Sequence, residues 1–252
     1  MAEHYSRHIK FEGILNFRDL GGYKAHGGRT VAWRRVYRSA EMMNMTNDDF
    51  RRLTDELRLT SVIDLRSSLE RENHGIGLLS EARIKYHQVS FLSDGGDRKG
   101  DRMRYTDFNN MGEFYAKLVQ VQGFGSRVVE ALEIITEPGN HPLVFHCAIG
   151  KDRTGILAGI LLSALGVGDK DIIADYMMSA PHVLVILERL KSKPETAEFA
   201  NRFPAFAWEA APISMTLLLA ALKKEYGSAA GYLKENGADS SLVKRLERAL
   251  LV

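Results

Sequence analysis

The chain has 252 residues, of which 45% are hydrophobic, and its 34 basic and 32 acidic side chains give a formal net charge of +2. This length suffices for one large α/β domain with a substantial core, while the near-neutral charge offers no general case for a nucleic-acid or membrane partner. The single cysteine excludes an intramolecular disulfide framework and a cysteine-based zinc site, and it fits a reducing compartment.

The N-terminal region predicts no targeting segment. Residues 1–10 are polar, lack an apolar signal core and are expected to form a flexible tail. The apolar runs at 157–165 and 213–222 are well short of the roughly 20 residues that a membrane-spanning helix needs. We therefore expect a cytoplasmic protein with no integral membrane association, and export without a signal peptide stays open.

The glycine-rich stretch at 11–40 predicts short strands joined by turns, and one of these strands is predicted at 36–38. Within this stretch, Arg18 and Asp19 allow two interpretations, because they either support a functional site or form a structural ion pair at a turn. Residues 46–49, Thr-Asn-Asp-Asp, match a helix capping box and predict a helix that ends near Leu57.

Two further strands are predicted at 61–64 and 84–91, and helices are predicted around 111–118 and 128–135. The segment at 93–102 is polar and rich in glycine, which is typical of a mobile loop. This loop either shapes access to a site or is a solvated insertion without a role in turnover.

The segment at 142–165 predicts a strand, a tight loop and a helix. An apolar run leads into His146 and Cys147, and a largely apolar helix follows the loop. In such an arrangement the loop N–H groups and the positive end of the helix face one point, which is typical of a phosphate cradle. The predicted phosphate-binding residues are Ala148, Ile149, Gly150, Lys151, Arg153 and Thr154.

The residue types in this loop predict phosphate monoester hydrolysis through a cysteinyl phosphate. Cys147 lies where a helix N-terminus and nearby cations favour the nucleophilic thiolate. Arg153 can bind two phosphate oxygens with its planar fork and stabilise the charge of the transferred group. Thr154 is expected to donate a hydrogen bond to the sulfur when it acts as leaving group.

The leaving oxygen needs a proton from a carboxylic acid, and the sequence offers three candidates. Asp152 is nearest in sequence, although a carboxylate at a helix N-terminus also has a purely structural explanation. Asp64 ends a predicted strand whose carboxyl end opens on the same side of a parallel sheet. The third candidate is an acid of the polar loop: Asp94, Asp97 or Asp101.

Arg66, just after the strand at 61–64, also has two interpretations. It either reaches the phosphate or forms a surface ion pair with Glu70. His74 and His87 lack the partner spacing of a metal site, so we expect neither a metal nor a cofactor.

The last third of the chain is predicted to be helical, with amphipathic stripes at 171–178, 183–190 and 242–250. No internal repeat or linker is evident. We expect residues 1–252 to form a single domain of the α/β class, with a central, largely parallel sheet flanked by helices and a helix-rich C-terminal third.

The loop His-Cys-Ala-Ile-Gly-Lys-Asp-Arg at 146–153 resembles that of the atypical Cys-x5-Arg protein tyrosine phosphatases. The segments at 15–23, 37–40 and 62–67 also resemble this branch. The resemblance implies a phosphatase-type fold, Cys147 as nucleophile and Arg153 as phosphate binder. It implies Asp152 as general acid, because the branch lacks the mobile Trp-Pro-Asp loop, which is absent here too. It also associates Lys151 with acceptance of phosphoinositides, and it allows a helical pair to cover the pocket.

The leading hypothesis is therefore a metal-independent phosphatase whose partners are phosphotyrosine proteins and, in addition, phosphoinositides or phosphoserine and phosphothreonine substrates. The alternative from another class is a catalytically silent module that binds phosphorylated ligands. A sulfur-transfer or arsenate-reducing enzyme is disfavoured, because arsenate reduction normally needs further cysteines.

Overall fold

The computed structural model describes residues 6–81, 83–91 and 105–252. The polar loop predicted at 93–102, with its three candidate acids, lies outside these residues, as does the first half of the predicted N-terminal tail.

Among the described residues, five strands form one sheet. They are β1 (Arg18–Asp19), β2 (Val36–Ser39), β3 (Ser61–Asp64), β4 (Lys85–Gln88) and β5 (Leu143–His146). The strand order is β1-β2-β5-β3-β4, in which β1 is antiparallel to β2 and all other pairs are parallel. The strands β2, β3 and β5 are buried along their whole length, as expected when both faces of a parallel sheet are covered.

The α-helices, in chain order, are α1 (Asn47–Arg51), α2 (Ser68–His74), α3 (Met111–Leu118), α4 (Phe124–Thr136), α5 (Asp152–Ala164), α6 (Asp169–Met177), α7 (Ala180–Lys191), α8 (Pro194–Asn201), α9 (Pro212–Tyr226), α10 (Ala229–Glu235) and α11 (Leu242–Leu250). The helix α1 continues into a π-helical turn at Arg52–Glu56. Thr46 caps α1 through a capping box, as predicted.

Alternate residues of each central strand feed two hydrophobic clusters, one on either face of the sheet. The larger cluster joins Ile63 and Phe145 to α5 and the C-terminal helices, whereas the smaller one joins Val62 and Val144 to the N-terminal segment. This alternation follows from the opposite directions of successive side chains in a strand. Because α5 is buried on most of its circumference, it is held rigidly against the sheet.

The predicted α/β architecture with a central, largely parallel sheet and a helix-rich C-terminal third is confirmed. The sequence predicted the last third to be helical without naming α8, α9 or α10 individually, and it did not predict α2. Within the described ranges, no helix combines the length and the apolar composition needed to cross a membrane.

The parallel register brings three polar strand ends to one edge of the sheet. His146 ends β5 and is paired on one side with Ser39 of β2 and on the other with Asp64 of β3. The chain leaves this edge through Cys147 and enters α5 at Asp152. In open parallel sheets this carboxyl edge is where ligands bind.

Candidate active site

Cys147 follows the central strand directly and is buried, with 2% of its surface exposed. The loop behind it turns at Gly150, whose φ of +73° lies in the left-handed region. A Cβ atom at this position would lie 2.4 Å from the backbone oxygen of Ser39. Glycine is therefore required both by the turn and by the close approach of β2.

The loop carbonyls point away from the centre of the loop and are bound by neighbouring residues. Ala148 accepts a hydrogen bond from the backbone N–H of Glu41 at 3.1 Å. The remaining bonds, all from side chains, are Asn16 Nδ2 to Ile149 O at 3.2 Å, Asn16 Nδ2 to Gly150 O at 3.1 Å and Arg38 Nη2 to Gly150 O at 2.8 Å. The outward direction of these carbonyls turns the N–H side of the loop toward its interior.

The backbone N–H groups of residues 148–151 donate no hydrogen bond to any residue that the structure describes. Gly150 and Lys151 are nevertheless buried, and buried N–H groups normally have a partner. A row of free amides next to the N-terminus of α5 favours negative charge on that side of the loop. This arrangement is suited to a small dianion such as phosphate.

Arg153 lies in the first turn of α5 and is held by Glu70. Its guanidinium donates to both carboxylate oxygens of Glu70, at 2.6 Å and 2.7 Å, and 13% of its side chain is exposed. Burial lowers the pKa of Arg153, but the charge of Cys147 and the hydrogen bonds to Glu70 outweigh burial and raise it. The side chain therefore stays cationic and is oriented next to the cysteine.

Asp152, the first residue of α5, retains an accessible carboxyl group. Its Oδ1 accepts a hydrogen bond from the Tyr115 hydroxyl at 2.5 Å, and Lys151 Nζ lies 3.2 Å away. The Tyr115 hydroxyl lies 2.9 Å from that of Tyr176. The contacts with Tyr115 and Lys151 orient the carboxyl group. Because 26% of the Asp152 side chain is exposed, a ligand can still reach it.

Asp64 is buried and bound on several sides. Its carboxylate accepts hydrogen bonds from Arg66 Nη2 at 2.8 Å, from Arg66 Nε at 3.0 Å and from the Tyr86 hydroxyl. Burial raises the pKa of Asp64, but His146 and the bonds from Arg66 and Tyr86 lower it to about 2. Of these causes, we assign the low pKa of Asp64 mainly to the bonds from Arg66, because burial lowers the pKa of His146 and keeps its ring neutral. A carboxyl with this pKa carries no proton to donate at neutral pH.

Two interpretations of charged pairs made from the sequence are wrong. Arg66 is buried and binds Asp64 and Glu41, so it does not form a surface ion pair with Glu70, which binds Arg153 instead. No bond joins Arg18 to Asp19.

Arg18 binds Asp175 at 3.0 Å. The Asp19 carboxylate instead accepts hydrogen bonds from the backbone N–H groups of Gly21 and Arg34. The two neighbours therefore point to different partners, which excludes the predicted ion pair at a turn.

Thr154 and Lys151 differ in how many partners their side chains have. The hydroxyl of Thr154 is buried and has no hydrogen-bond partner among the described residues, so the predicted bond to the Cys147 sulfur is not formed in this structure. Lys151 Nζ donates to the backbone oxygens of Ala207, at 2.6 Å, and Glu209, at 3.0 Å. Its charge is therefore shared between the C-terminal segment and Asp152, 3.2 Å away.

Residues that contact the loop or its neighbours but were not predicted as site residues include Asn16, Arg38, Glu70, Tyr115 and Asp175. A local signal existed for Glu70, because Ser67 and Glu70 form a second capping box. Asp175 lies 157 positions from Arg18, so no local pattern joins them. Within the described parts of the chain, no group of three or more His, Cys, Asp and Glu side chains converges as metal ligands do.

A model of the tyrosine phosphatase family matches residues 9–252. The chain belongs to this family. A putative tyrosine-protein phosphatase from Cupriavidus necator is 37% identical over 180 residues, which cover 68% of this chain and 62% of that protein. The triple specificity protein phosphatase PtpB from Mycobacterium tuberculosis is 28% identical, over 95% of this chain and 97% of PtpB.

Among solved structures, the core catalytic domain of the PP-IP phosphatase SIW14 from S. cerevisiae is 21% identical. The structural alignment covers 77% of this chain and 89% of that domain, with a TM-score of 0.41. The overlap is partial, and the fold assignment rests on the sheet order described above.

The pKa of Asp64 leads to a prediction for stability against pH. Because its folded value of about 2 lies below the ordinary value of 3.8, Asp64 stabilises the fold at neutral pH. That contribution is lost as the pH falls through the folded pKa. We expect the free energy of unfolding from urea titrations to decrease less steeply between about pH 4 and pH 2 in Asp64→Asn than in the unaltered protein. Equal slopes would contradict the assignment of a depressed pKa to this carboxyl.

Proposed function

We propose that the protein is a cysteine-dependent phosphatase that hydrolyses phosphate monoesters through a phosphocysteine intermediate, with phosphotyrosine proteins as its main substrates. The observation that carries this proposal is the row of free amides at 148–151, which borders Cys147 and the cationic Arg153. Membership of the tyrosine phosphatase family supports the reaction class. We also propose that the chain forms one phosphatase domain, and its cytoplasmic location stays a prediction.

In the first step, the Cys147 thiolate attacks the phosphorus in line with the ester oxygen. The sulfur–phosphorus bond forms as the phosphorus–oxygen bond breaks, and Asp152 gives its proton to the leaving oxygen. The loop amides and Arg153 bind the equatorial phosphate oxygens, where negative charge concentrates. The products of this step are a free alcohol or phenol and the phosphocysteine.

In the second step, water attacks the same phosphorus. Asp152, now ionised, takes a proton from the water, and the sulfur leaves as thiolate. Inorganic phosphate is released and the starting protonation states are restored. Thr154 is placed one residue after Arg153, and rotation of its buried hydroxyl toward the sulfur would assist this departure.

The geometry favours Asp152 over Asp64 as the acid. Asp152 is partly exposed and borders the amide row, whereas Asp64 is buried and held as an anion by Arg66. Arg66 and Arg18 have no phosphate-binding role in this proposal, because each is occupied by a buried carboxylate.

Replacement of Cys147 tests the mechanism most directly. Cys147→Ser should lose at least about a thousandfold in kcat for p-nitrophenyl phosphate, assayed with a chelator present, because a serine hydroxyl is hardly ionised at neutral pH. Ser126→Ala, an exposed substitution at the start of α4, should keep the unaltered rate. Substantial turnover by Cys147→Ser would refute the phosphocysteine. Tight phosphate binding by the unaltered protein without product would identify a silent binding module instead.

Replacement of the acid should depend on the leaving group. Asp152→Asn should slow hydrolysis of a phenyl or alkyl phosphate by about a hundredfold or more. It should slow p-nitrophenyl phosphate much less, because that phenolate leaves without a proton. The comparison is made by measuring kcat across phenols of rising pKa. If Asp64→Asn shows the leaving-group dependence and Asp152→Asn does not, the acid is Asp64.

Substrate class is a further part of the proposal. PtpB is described as having triple specificity, and the sequence resemblance associates the loop lysine with phosphoinositides. In this chain Lys151 is buried, and its Nζ binds two backbone oxygens and lies 3.2 Å from Asp152, so its three donors all have partners within the protein. We propose phosphotyrosine first, with phosphoinositides, phosphoserine and phosphothreonine as weaker substrates.

A matched panel tests this ranking by phosphate release. We expect kcat/KM for a phosphotyrosine peptide to exceed that for the same peptide with phosphoserine, and for a soluble phosphatidylinositol phosphate, by about tenfold or more, the discrimination of one good interaction. Lys151→Met, which keeps the length of the side chain, serves as the matched variant. A preference for the lipid in the unaltered protein that disappears in Lys151→Met would reverse the ranking.

A further inference from the structure

A buried ion cluster lies behind the loop, on the side away from the free amides. Asp175 of α6 is 1% exposed, and its carboxylate accepts hydrogen bonds from Arg18 Nε at 3.0 Å and from Arg38 Nη1 at 2.6 Å. The Tyr23 hydroxyl adds a third bond at 3.1 Å. Both arginines are fully buried. The cluster therefore joins β1, β2 and α6 through charges that solvent does not reach.

Asp175 and Arg38 stay ionised. Burial raises the pKa of Asp175, but the charges of Arg18 and Arg38 outweigh it and hold the pKa well below its ordinary value. Burial and the neighbouring Arg18 lower the pKa of Arg38 to about 10, which leaves it cationic at neutral pH. Buried charges are costly unless they are paired and hydrogen-bonded, so the position of each guanidinium is tightly fixed by this carboxylate.

Each arginine links Asp175 to the loop, Arg38 directly and Arg18 through Asn16. Arg38 donates directly to Gly150 O through its second terminal nitrogen. Arg18 donates to the side-chain oxygen of Asn16, and the Asn16 amide in turn donates to Ile149 O and Gly150 O. The Asp175 carboxylate on α6 thus orients two chains of hydrogen bonds, and both end on the carbonyls of residues 149–150.

We propose that Asp175, Arg18, Arg38 and Asn16 are positioning residues for the phosphate loop. They hold the Ile149 and Gly150 carbonyls outward, and so hold the following N–H groups toward the bound anion. None of them contacts the substrate. The inference rests on the proposed function for its effect on turnover, but the effect on anion binding can be measured without turnover.

Two other roles predict different results for Asp175→Asn. If the cluster only joined elements of the fold, the variant would lose stability and keep the anion affinity of the loop. If it acted only through its charge, removal of a negative group near the loop would tighten anion binding. A positioning role predicts weaker binding, because the asparagine amide keeps only one acceptor oxygen, so one of the two guanidiniums faces an NH2 group and loses its partner. The loop carbonyl that depends on that guanidinium can then rotate inward.

The experiment uses the single cysteine of the chain as its reporter. Iodoacetamide labels Cys147 in the full-length protein, and mass spectrometry follows the rate as inorganic phosphate is added. Protection by phosphate gives the affinity of the loop for the anion. The variants are Asp175→Asn, Arg38→Lys, which keeps the charge but not the fork, and Asn16→Ala, which removes no charge.

The control is Asp49→Asn, a buried carboxylate that binds the backbone N–H groups of Glu12, Gly13 and Thr46 and does not contact the loop. We expect each of the three positioning variants to need about tenfold more phosphate for half protection, the effect of one or two lost hydrogen bonds. In turnover assays kcat should fall as well, and the control should match the unaltered protein in both readouts.

If Asp175→Asn does not fold, Asn16→Ala decides the outcome, because it leaves the ion cluster intact. Unaltered phosphate protection in folded Asn16→Ala and Arg38→Lys would overturn the inference. Tighter protection in Asp175→Asn would overturn it in favour of a purely electrostatic role. Failure of the proposed function gives a different result from failure of this inference, because the unaltered protein would then bind phosphate but release none from a monoester.

Discussion

The outward orientation of the loop carbonyls is the constraint on which the candidate active site depends. A peptide unit that turns its C=O away from a point turns its N–H toward that point, so fixing a few carbonyls determines the direction of the amides that meet an anion. Here the carbonyls of Ala148, Ile149 and Gly150 are bound by groups from outside the loop. Preorganised dipoles of this kind need no rearrangement when charge develops in a transition state, which makes them effective in catalysis.

Three arginines around the loop are each paired with a carboxylate. Arg153 is paired with Glu70, Arg66 with Asp64, and Arg38 with Asp175. A guanidinium has five donors in a fixed plane, so a carboxylate that occupies one edge orients the remaining donors. In Arg38 the free edge reaches a loop carbonyl, whereas Arg153 borders Cys147 and stays partly exposed. The same residue type therefore builds the loop in one position and is available to a ligand in another.

The strand, the loop and the helix at 142–165 were predictable because their signals are local: an apolar run, a glycine where the chain turns, and apolar residues at helical spacing. The low pKa of Asp64 was not predictable, since it depends not only on the nearby Arg66 but also on His146 and Tyr86, which only folding places beside it. The partner of Arg18 was missed because Asp175 comes from a distant helix. The bond from Thr154 to the sulfur, expected when the sulfur leaves, is not present in this structure and stays a prediction.

Lys151 binds main-chain oxygens of the segment that precedes α9, rather than its side chains. Backbone oxygens are present whatever residue occupies the position, so this contact places no demand on the side chains of Ala207 and Glu209. The segment can therefore diverge in sequence among related proteins while its docking to the loop is retained.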